Sequence, residues 1–451
     1  MKYFYDFIHN LYALAFVGGL LSFVLANRII PVIIYTVRAK NLMDEPGDRS
    51  AHSRKTPTLG GVGVFAAFVV SLILFGVVVG LERPDLVKLL SLVLATIILI
   101  FLGIKDDLIA LAARKKFLGQ LISTGIVIFL TDVRITSFEG LLGIGELSYF
   151  ASVLFTVFVF ILVINAFNLI DGIDGLAGAI GIIASISFGL FFLLNSDFLM
   201  VLVSFSLIGA ISAFLRYNLS GTQKLFMGDS GSMVIGYLLA YQGIRFLELN
   251  LSGSSTFTIN NGPVMLLAVL SFPLLDTLRV FVIRARERRS PFDADRNHIH
   301  HRLLSLGFSH KQATIMLSIV SVLAIELAYL FKDLEINLQL FIVTLIIPLI
   351  YYLLFNVTRV RENTIKLNEV RAGKDRLRIV DMDLRKYVPI LTLRNTFIDE
   401  SRGTQKFSVK HANQQKKMEI SEKRIKELEK SKLHQIVSKN LKETYKSSKS
   451  K

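Results

Sequence analysis

The chain has 451 residues, of which 52% are hydrophobic and only 19% charged, with no cysteine and a net charge of +16. So apolar and weakly charged a chain is not an ordinary soluble protein. The lack of cysteine excludes a disulfide framework and cysteine-ligated zinc or iron–sulfur sites. From Arg361 to Lys451 there are 24 Lys and Arg against 12 Asp and Glu, so most of the excess charge belongs to that stretch.

Taken in order, the chain shows eleven apolar stretches at 11–36, 59–81, 86–104, 117–133, 149–169, 175–194, 198–215, 231–248, 263–283, 313–331 and 337–356. At roughly 18 to 25 residues, such stretches cross a bilayer as helices, which satisfy their own backbone in lipid. The expected fold is therefore an all-α polytopic membrane protein of about eleven transmembrane helices. The first stretch follows Lys2 and aromatic residues without a small-residue cleavage site, so it reads as a retained helix. One set of loops carries most of the Arg and Lys, including Arg38, Lys55, Lys105, Lys116, Lys224, Arg286 and Arg302. The other set holds little beyond Arg83, Arg134 and Lys332. The positive-inside rule makes the first set cytoplasmic, with the N-terminus outside and the C-terminal tail inside.

The expected division is a membrane domain over 1–360 and a basic cytoplasmic tail over 361–451. Within the tail, 374–400 mixes charges with apolar residues as a small ordered element could. Residues 412–447 suit a charged helix, with disorder at the very end. Anionic lipid or a protein partner fits that tail. Nucleic acid does not, since few aromatic residues are available to stack on bases. No internal repeat is visible.

The unusual polar residues fall in the positive loops or at the helix ends beside them. The first loop, from Asp44 to Gly61, contains Arg49, His52 and Lys55, which could meet phosphate, and a glycine pair that allows close backbone approach. A plain basic turn explains it equally well. Asp106 and Asp107 end the third stretch; adjacent carboxylates repel and call for a divalent cation or basic neighbours, unless they are simply solvated. Asn168, Asp171 and Asp174 follow the fifth stretch at helical i, i+3, i+6 spacing, with Gly172 and Gly175 between them. So many polar side chains beside lipid point to function.

Asn218 and then Gly228-Asp229-Ser230-Gly231-Ser232 open the eighth stretch. That run suits a metal-bound phosphate, and a helix N-cap at the same time. Asp276 and Arg279 read as a structural ion pair in a proline-kinked span. His298, His300, His301, Arg296 and Arg302 form an anion clamp that favours phosphate or nucleotide over a transition metal.

In this order the six segments resemble the polyprenyl-phosphate N-acetylhexosamine-1-phosphate transferases, glycosyltransferase family 4, over about residues 10 to 330. That superfamily includes phospho-MurNAc-pentapeptide translocase (MraY) and the WecA and TagO-type GlcNAc-1-phosphate transferases. His298-Ile299-His300-His301-Arg302-Leu303 looks like the GlcNAc-1-phosphate branch. The translocase branch typically has consecutive histidines followed by an acidic residue.

The resemblance implies roles. Asp106 and Asp107 match paired aspartates thought to act on the lipid phosphate. Asp171 and Asp229 match magnesium-side aspartates, Asp229 the more direct ligand, with Asn168 and Asp174 beside them. Asn218 matches a nucleotide-side asparagine, although its spacer to Asp229 is about one residue longer than in some relatives. Lys55 and Lys116 match basic positions near phosphate, and His298, His300 and His301 match the nucleotide-diphosphate loop, with Arg302 taking remaining charge.

The implied reaction joins UDP-GlcNAc and polyprenyl phosphate to give polyprenyl-diphosphate-GlcNAc and UMP, with Mg2+, or Mn2+ in its place, as cofactor. The inner membrane is the implied location and a homodimer an assembly open to it. The translocase activity is the near alternative, and a two-step route through an aspartyl intermediate is the mechanistic one. An ion-coupled transporter would need carboxylates at mid-bilayer, whereas these gather at one face.

Overall fold

A computed structural model describes residues 10–40, 42–44, 56–252, 255–287 and 298–352. The expected features of the tail, together with Arg49, His52, Lys55 and Arg296, lie outside the described residues.

The described chain is almost wholly helical. The long elements are α1 (Leu11–Ala39), α2 (Gly60–Val79), α3 (Arg83–Ile109), α4 (Ala113–Thr131), α5 (Tyr149–Ile170), α6 (Leu176–Leu194), α7 (Phe198–Asn218) and α8 (Gly228–Leu251). They are followed by α9 (Gly262–Val269), α10 (Ser271–Arg286), α11 (Ile299–Ser305) and α12 (His310–Leu330). The last is α13 (Ile336–Tyr352). Two-residue strands β1 (Met43–Asp44) and β2 (Thr56–Pro57) pair antiparallel. The starts of α1, α5, α7 and α12 carry side-chain caps, whereas α8, where the 228–232 run was expected to supply one, has Met227 at the cap position and no side-chain cap of its own. Asn10 accepts from the Tyr12 and Ala13 amides, and Ser309 and Gln312 form a reciprocal capping box.

Among the described residues each of the eleven apolar stretches is helical, the ninth as two helices. Among the described residues, seven helices are long and apolar enough to cross a membrane, or eight if α9 and α10 count as one span. Eleven crossings therefore do not follow from length and composition. α4 opens on Arg114, Lys115 and Lys116, and the described part of the last stretch ends at Tyr352. α8 is different, because its residues are buried on nearly every side by its neighbours. A helix shielded by protein needs no apolar exterior, so α8 can carry Asp229, Gln242 and Arg245. Large apolar side chains such as Phe101, 70% exposed, and Phe129, 72% exposed, face outward from α3 and α4, as a lipid-facing surface requires.

The ninth stretch is not one kinked helix. α9 and α10 meet at Leu270 with a bend of 76°. The cause lies three residues on: Pro273 has no N–H for the Val269 carbonyl, and its ring crowds that turn.

Glycines let the helix ends around α8 close together. The Gly60 and Gly61 amides donate to the Phe226 and Met227 carbonyls at 2.9 and 2.8 Å, clipping α2 to the chain entering α8. A methyl at Gly61 would overlap Gly231, and one at Gly103 would overlap the Ser230 backbone. The close backbone approach expected at Gly60 and Gly61 is thus to α8 itself. Gly103→Ala will lower thermal stability in detergent by about 1–3 kcal/mol, because backbone cannot yield as a flexible side chain can. Gly125→Ala on α4, whose methyl would meet only Phe129 at 3.8 Å, is the control. Equal unfolding midpoints for the two variants would contradict the packing described.

Candidate active site

The C-terminal ends of α3 and α5 and the start of α8 meet at one face of the bundle. Gly228, with φ of +72°, turns the chain into α8 in a conformation that favours glycine. The Asp107 carboxylate occupies the space a side chain there would fill. Asp107 Oδ1 accepts the Asp229 amide at 2.7 Å and Oδ2 the Ser230 amide at 3.2 Å. Two orphan amides of the helix start are satisfied, and the negative charge suits the positive end of α8. Asp107, expected beside the acceptor, is committed to holding Asp229 in place.

Asp229 projects from this first turn. Its Oδ1 accepts from Asn168 Nδ2 at 2.8 Å and its Oδ2 from Lys116 Nζ at 2.8 Å. Asn168 also donates to Ser232 Oγ at 2.8 Å. Lys116 pairs at the same time with Asp106, which is buried and whose Oδ1 accepts the Leu111 amide at 2.6 Å. One ammonium thus sits between two carboxylates from helices far apart in sequence. One turn deeper, Asn165 Nδ2 donates to Gln120 Oε1 at 2.9 Å and ties α5 to α4.

Asp171 lies just past the end of α5. The helix stops at Ile170, so Asn168, Asp171 and Asp174 do not share one helical face as their spacing suggests. Among the described residues the Asp171 carboxylate receives no hydrogen bond. Burial, then the charges of Asp229, Asp107 and Asp174, push it well above the ordinary carboxylate range. An uncompensated carboxylate beside three others is the environment a divalent cation relieves. Hard oxygen donors of this kind suit magnesium. No three His, Asp or Glu side chains already converge at ligand distance among the described residues. Asp171 and Asp229 could therefore supply two ligands, leaving the others to phosphate and water, as magnesium usually requires.

Asp174 and Asn218 turn away from this cluster. Asp174 Oδ2 meets Lys224 Nζ at 2.6 Å and His310 Nδ1 at 2.9 Å. Burial works to raise the Asp174 carboxyl, but these two partners outweigh it and hold the group below its usual range. Asn218 accepts the Gly175 amide at 2.6 Å and donates to the Leu225 carbonyl at 2.9 Å. Both residues expected at substrate instead pin the turn between α5 and α6 to the segment before α8 and to α12.

The histidines close one side. His298 Nδ1 lies 2.7 Å from Asp276 Oδ2, while the nearest Arg279 nitrogen is 4.0 Å from Asp276. The ion pair expected within the span is present at the outer limit of contact, and the closer partner of Asp276 is the histidine segment. His300 is buried against Gly172, next to Asp171. Burial pushes its imidazole down to about 3, so it is neutral. The His301 ring is 4.4 Å from that of His300, and Arg302 follows half-buried on α11.

Residues 89–247 match the model of glycosyl transferase family 4. A protein of Bacillus subtilis (strain 168) named probable undecaprenyl-phosphate N-acetylglucosaminyl 1-phosphate transferase is 30% identical over 345 residues, covering 74% of this chain and 88% of that one. The chain belongs to glycosyl transferase family 4. A decaprenyl-phosphate N-acetylglucosaminephosphotransferase of Mycolicibacterium smegmatis is also 30% identical, covering 60% of this chain and 71% of its own. An undecaprenyl-phosphate alpha-N-acetylglucosaminyl 1-phosphate transferase of Salmonella typhi is 28% identical, over 67% and 80%.

The family match encloses Asp106, Asp107, Lys116, Asn168, Asp171, Asp174, Asn218 and Asp229. In this family 4 protein the structure gathers Asp106, Lys116, Asn168, Asp171 and Asp229 in one place, braced by Asp107. It adds Gln120, Lys224 and His310, to which the sequence reading gave no role at the site. Helical spacing carried a signal for one of them, since Gln120 stands four residues after Lys116.

Proposed function

We propose that this family 4 enzyme transfers GlcNAc 1-phosphate from UDP-GlcNAc to a polyprenyl phosphate at the cytoplasmic face of the inner membrane. The products are polyprenyl-diphosphate-GlcNAc and UMP. The N-terminus is outside, by the charge asymmetry of the loops. The observation that carries the reading is the convergence of Asp106 and Asp229, from distant segments, on the single ammonium of Lys116, with Asp171 in their field. The names of the relatives, all N-acetylglucosamine 1-phosphate transferases, favour this donor over UDP-MurNAc-pentapeptide.

Two anions must meet, so the chain's task is to reduce their repulsion and hold them in line. Lys116 offers a cation at the mouth of the cluster. Asp171 and Asp229 would hold magnesium, or manganese in its place. Bound there, the ion would neutralise charge on the diphosphate and on the departing UMP. Asn168 holds the other oxygen of Asp229 while Lys116 holds the first, so the carboxylate is fixed from both sides. Asp106 is free to orient the acceptor phosphate, or to accept its last proton, whenever Lys116 turns to substrate. The acceptor's second pKa is near about 6, so a strong base is not required. His298, His300, His301 and Arg302 would face the nucleotide.

Purified protein in detergent will release UMP from UDP-GlcNAc only with polyprenyl phosphate and magnesium present, and excess EDTA will stop it. UDP-MurNAc-pentapeptide will give no release. Release from the pentapeptide donor alone would transfer the assignment to the translocase activity, and no release from any UDP-sugar would remove it.

A further inference from the structure

The histidine segment begins on a helix of seven residues, α11, too short to be stable alone. A carboxylate from another helix fixes its start. Asp276 is fully buried on α10, six residues past the break at Leu270. Its Oδ1 accepts the Ile299 amide at 2.8 Å and its Oδ2 meets His298 Nδ1 at 2.7 Å. The first contact caps α11; a neutral side chain could do as much. The second does something a cap does not. An ionised carboxylate only accepts, so His298 carries its proton on Nδ1 and keeps Nε2 as the opposite pole.

The His298 ring lies nearly parallel to that of His300, at 15° and 5.5 Å between centroids. His300 in turn fills the place a side chain at Gly172 would take, beside Asp171. A continuous line of contact runs from α10 through two imidazoles to the Asp171 turn.

Resting on the transferase reading above, we infer that Asp276 is a positioning residue for the reaction. It sets the orientation and tautomer of His298, and through the stacked rings it holds the histidine segment against the Asp171 turn. It touches neither substrate.

Asp276→Asn is the discriminating variant. Its Oδ1 can still accept the Ile299 amide, so the cap survives. Its Nδ2 must donate to His298 Nδ1, which drives the imidazole proton to Nε2. The KM for UDP-GlcNAc will rise by about tenfold or more, as for other groups that orient a ligand from behind. The KM for polyprenyl phosphate and the unfolding midpoint will stay near the parent's. In a His298→Ala background the same substitution will add no further loss, because the two act as one unit. Unchanged KM for the donor, or losses that simply add, would overturn the inference.

Nitrogen-15 spectra of histidine-labelled protein give a readout independent of transfer. The parent will show an Nδ1–H tautomer for His298, identified by its absence in His298→Ala, and Asp276→Asn will show Nε2–H. If the parent releases no UMP, the transferase reading fails while the tautomer still decides the Asp276 contact. Should Asp276→Asn not accumulate, His298→Asn, whose amide can donate to Asp276, will keep a lower donor KM than His298→Ala. Equal donor KM values for those two variants would count against it.

Discussion

Asp229→Asn will cost roughly three orders of magnitude in the rate of UMP release and leave the helical core assembled. The core survives because Asp107 grips the backbone amides of residues 229 and 230, not the Asp229 side chain. The asparagine carbonyl can still accept from Asn168 on one side. On the other, an amide donor would oppose the Lys116 ammonium where a carboxylate oxygen now accepts it. Lost with the charge is the group best placed, together with Asp171, to hold a divalent cation. Asp174→Asn is the informative contrast. Its carboxylate is occupied by Lys224 and His310, so its loss will loosen the turn and reduce the rate by only about tenfold. The check is UMP release beside thermal unfolding for both variants. Near-parental turnover in Asp229→Asn would remove it from the metal assignment. Equal losses in the two would mean the clamp and the cluster act as one site.

Much of this arrangement was legible before any coordinates. Apolar runs located the helices, because lipid forces helical backbone, and loop charge grouped the polar motifs onto one face. What periodicity could not show was where a helix stops. Asn168, Asp171 and Asp174 fit one helical face on paper, yet the helix ends at Ile170 and Asp174 points to α12. Gly172 and Gly175 were the signal for that turn, since glycine this close to a helix end more often terminates than continues it. Pairing across long sequence separation was also hidden. Nothing in the sequence says that Asp107 caps α8, or that Asp276 reaches His298 in preference to Arg279, three residues away. In both cases a carboxylate, half-buried at Asp107 and fully buried at Asp276, took the partner that best satisfied it, and that choice depends on packing that no local spacing encodes. Length and composition alone do not confirm eleven crossings among the described residues, for a related reason. A helix such as α8, wrapped by its neighbours, is released from the requirement to be apolar.

Lys116→Met will separate stability, metal affinity and rate. The ammonium lies between Asp106 and Asp229, and its side chain is 27% exposed. Removing one member of a largely buried ionic group leaves the others uncompensated, at a cost of about 3–5 kcal/mol where burial is complete and less here. The unfolding midpoint will therefore fall when magnesium is absent. Because the lysine and a divalent cation compete for the Asp229 carboxylate, its loss will also make the site bind magnesium more tightly. Added magnesium will then restore the midpoint more in the variant than in the parent, since a ligand that binds only the folded state stabilises it according to its affinity. Turnover will not return with it, because the cation that would meet the substrate phosphates is gone. Lys116→Arg will recover part of the stability but little of the rate, since a planar guanidinium cannot reproduce the compact ammonium held by two carboxylates. A variant that kept the parent's midpoint and the parent's magnesium dependence would show that Lys116 merely covers the cluster, and the charge balance described for Asp106, Asp171 and Asp229 would have to be redrawn.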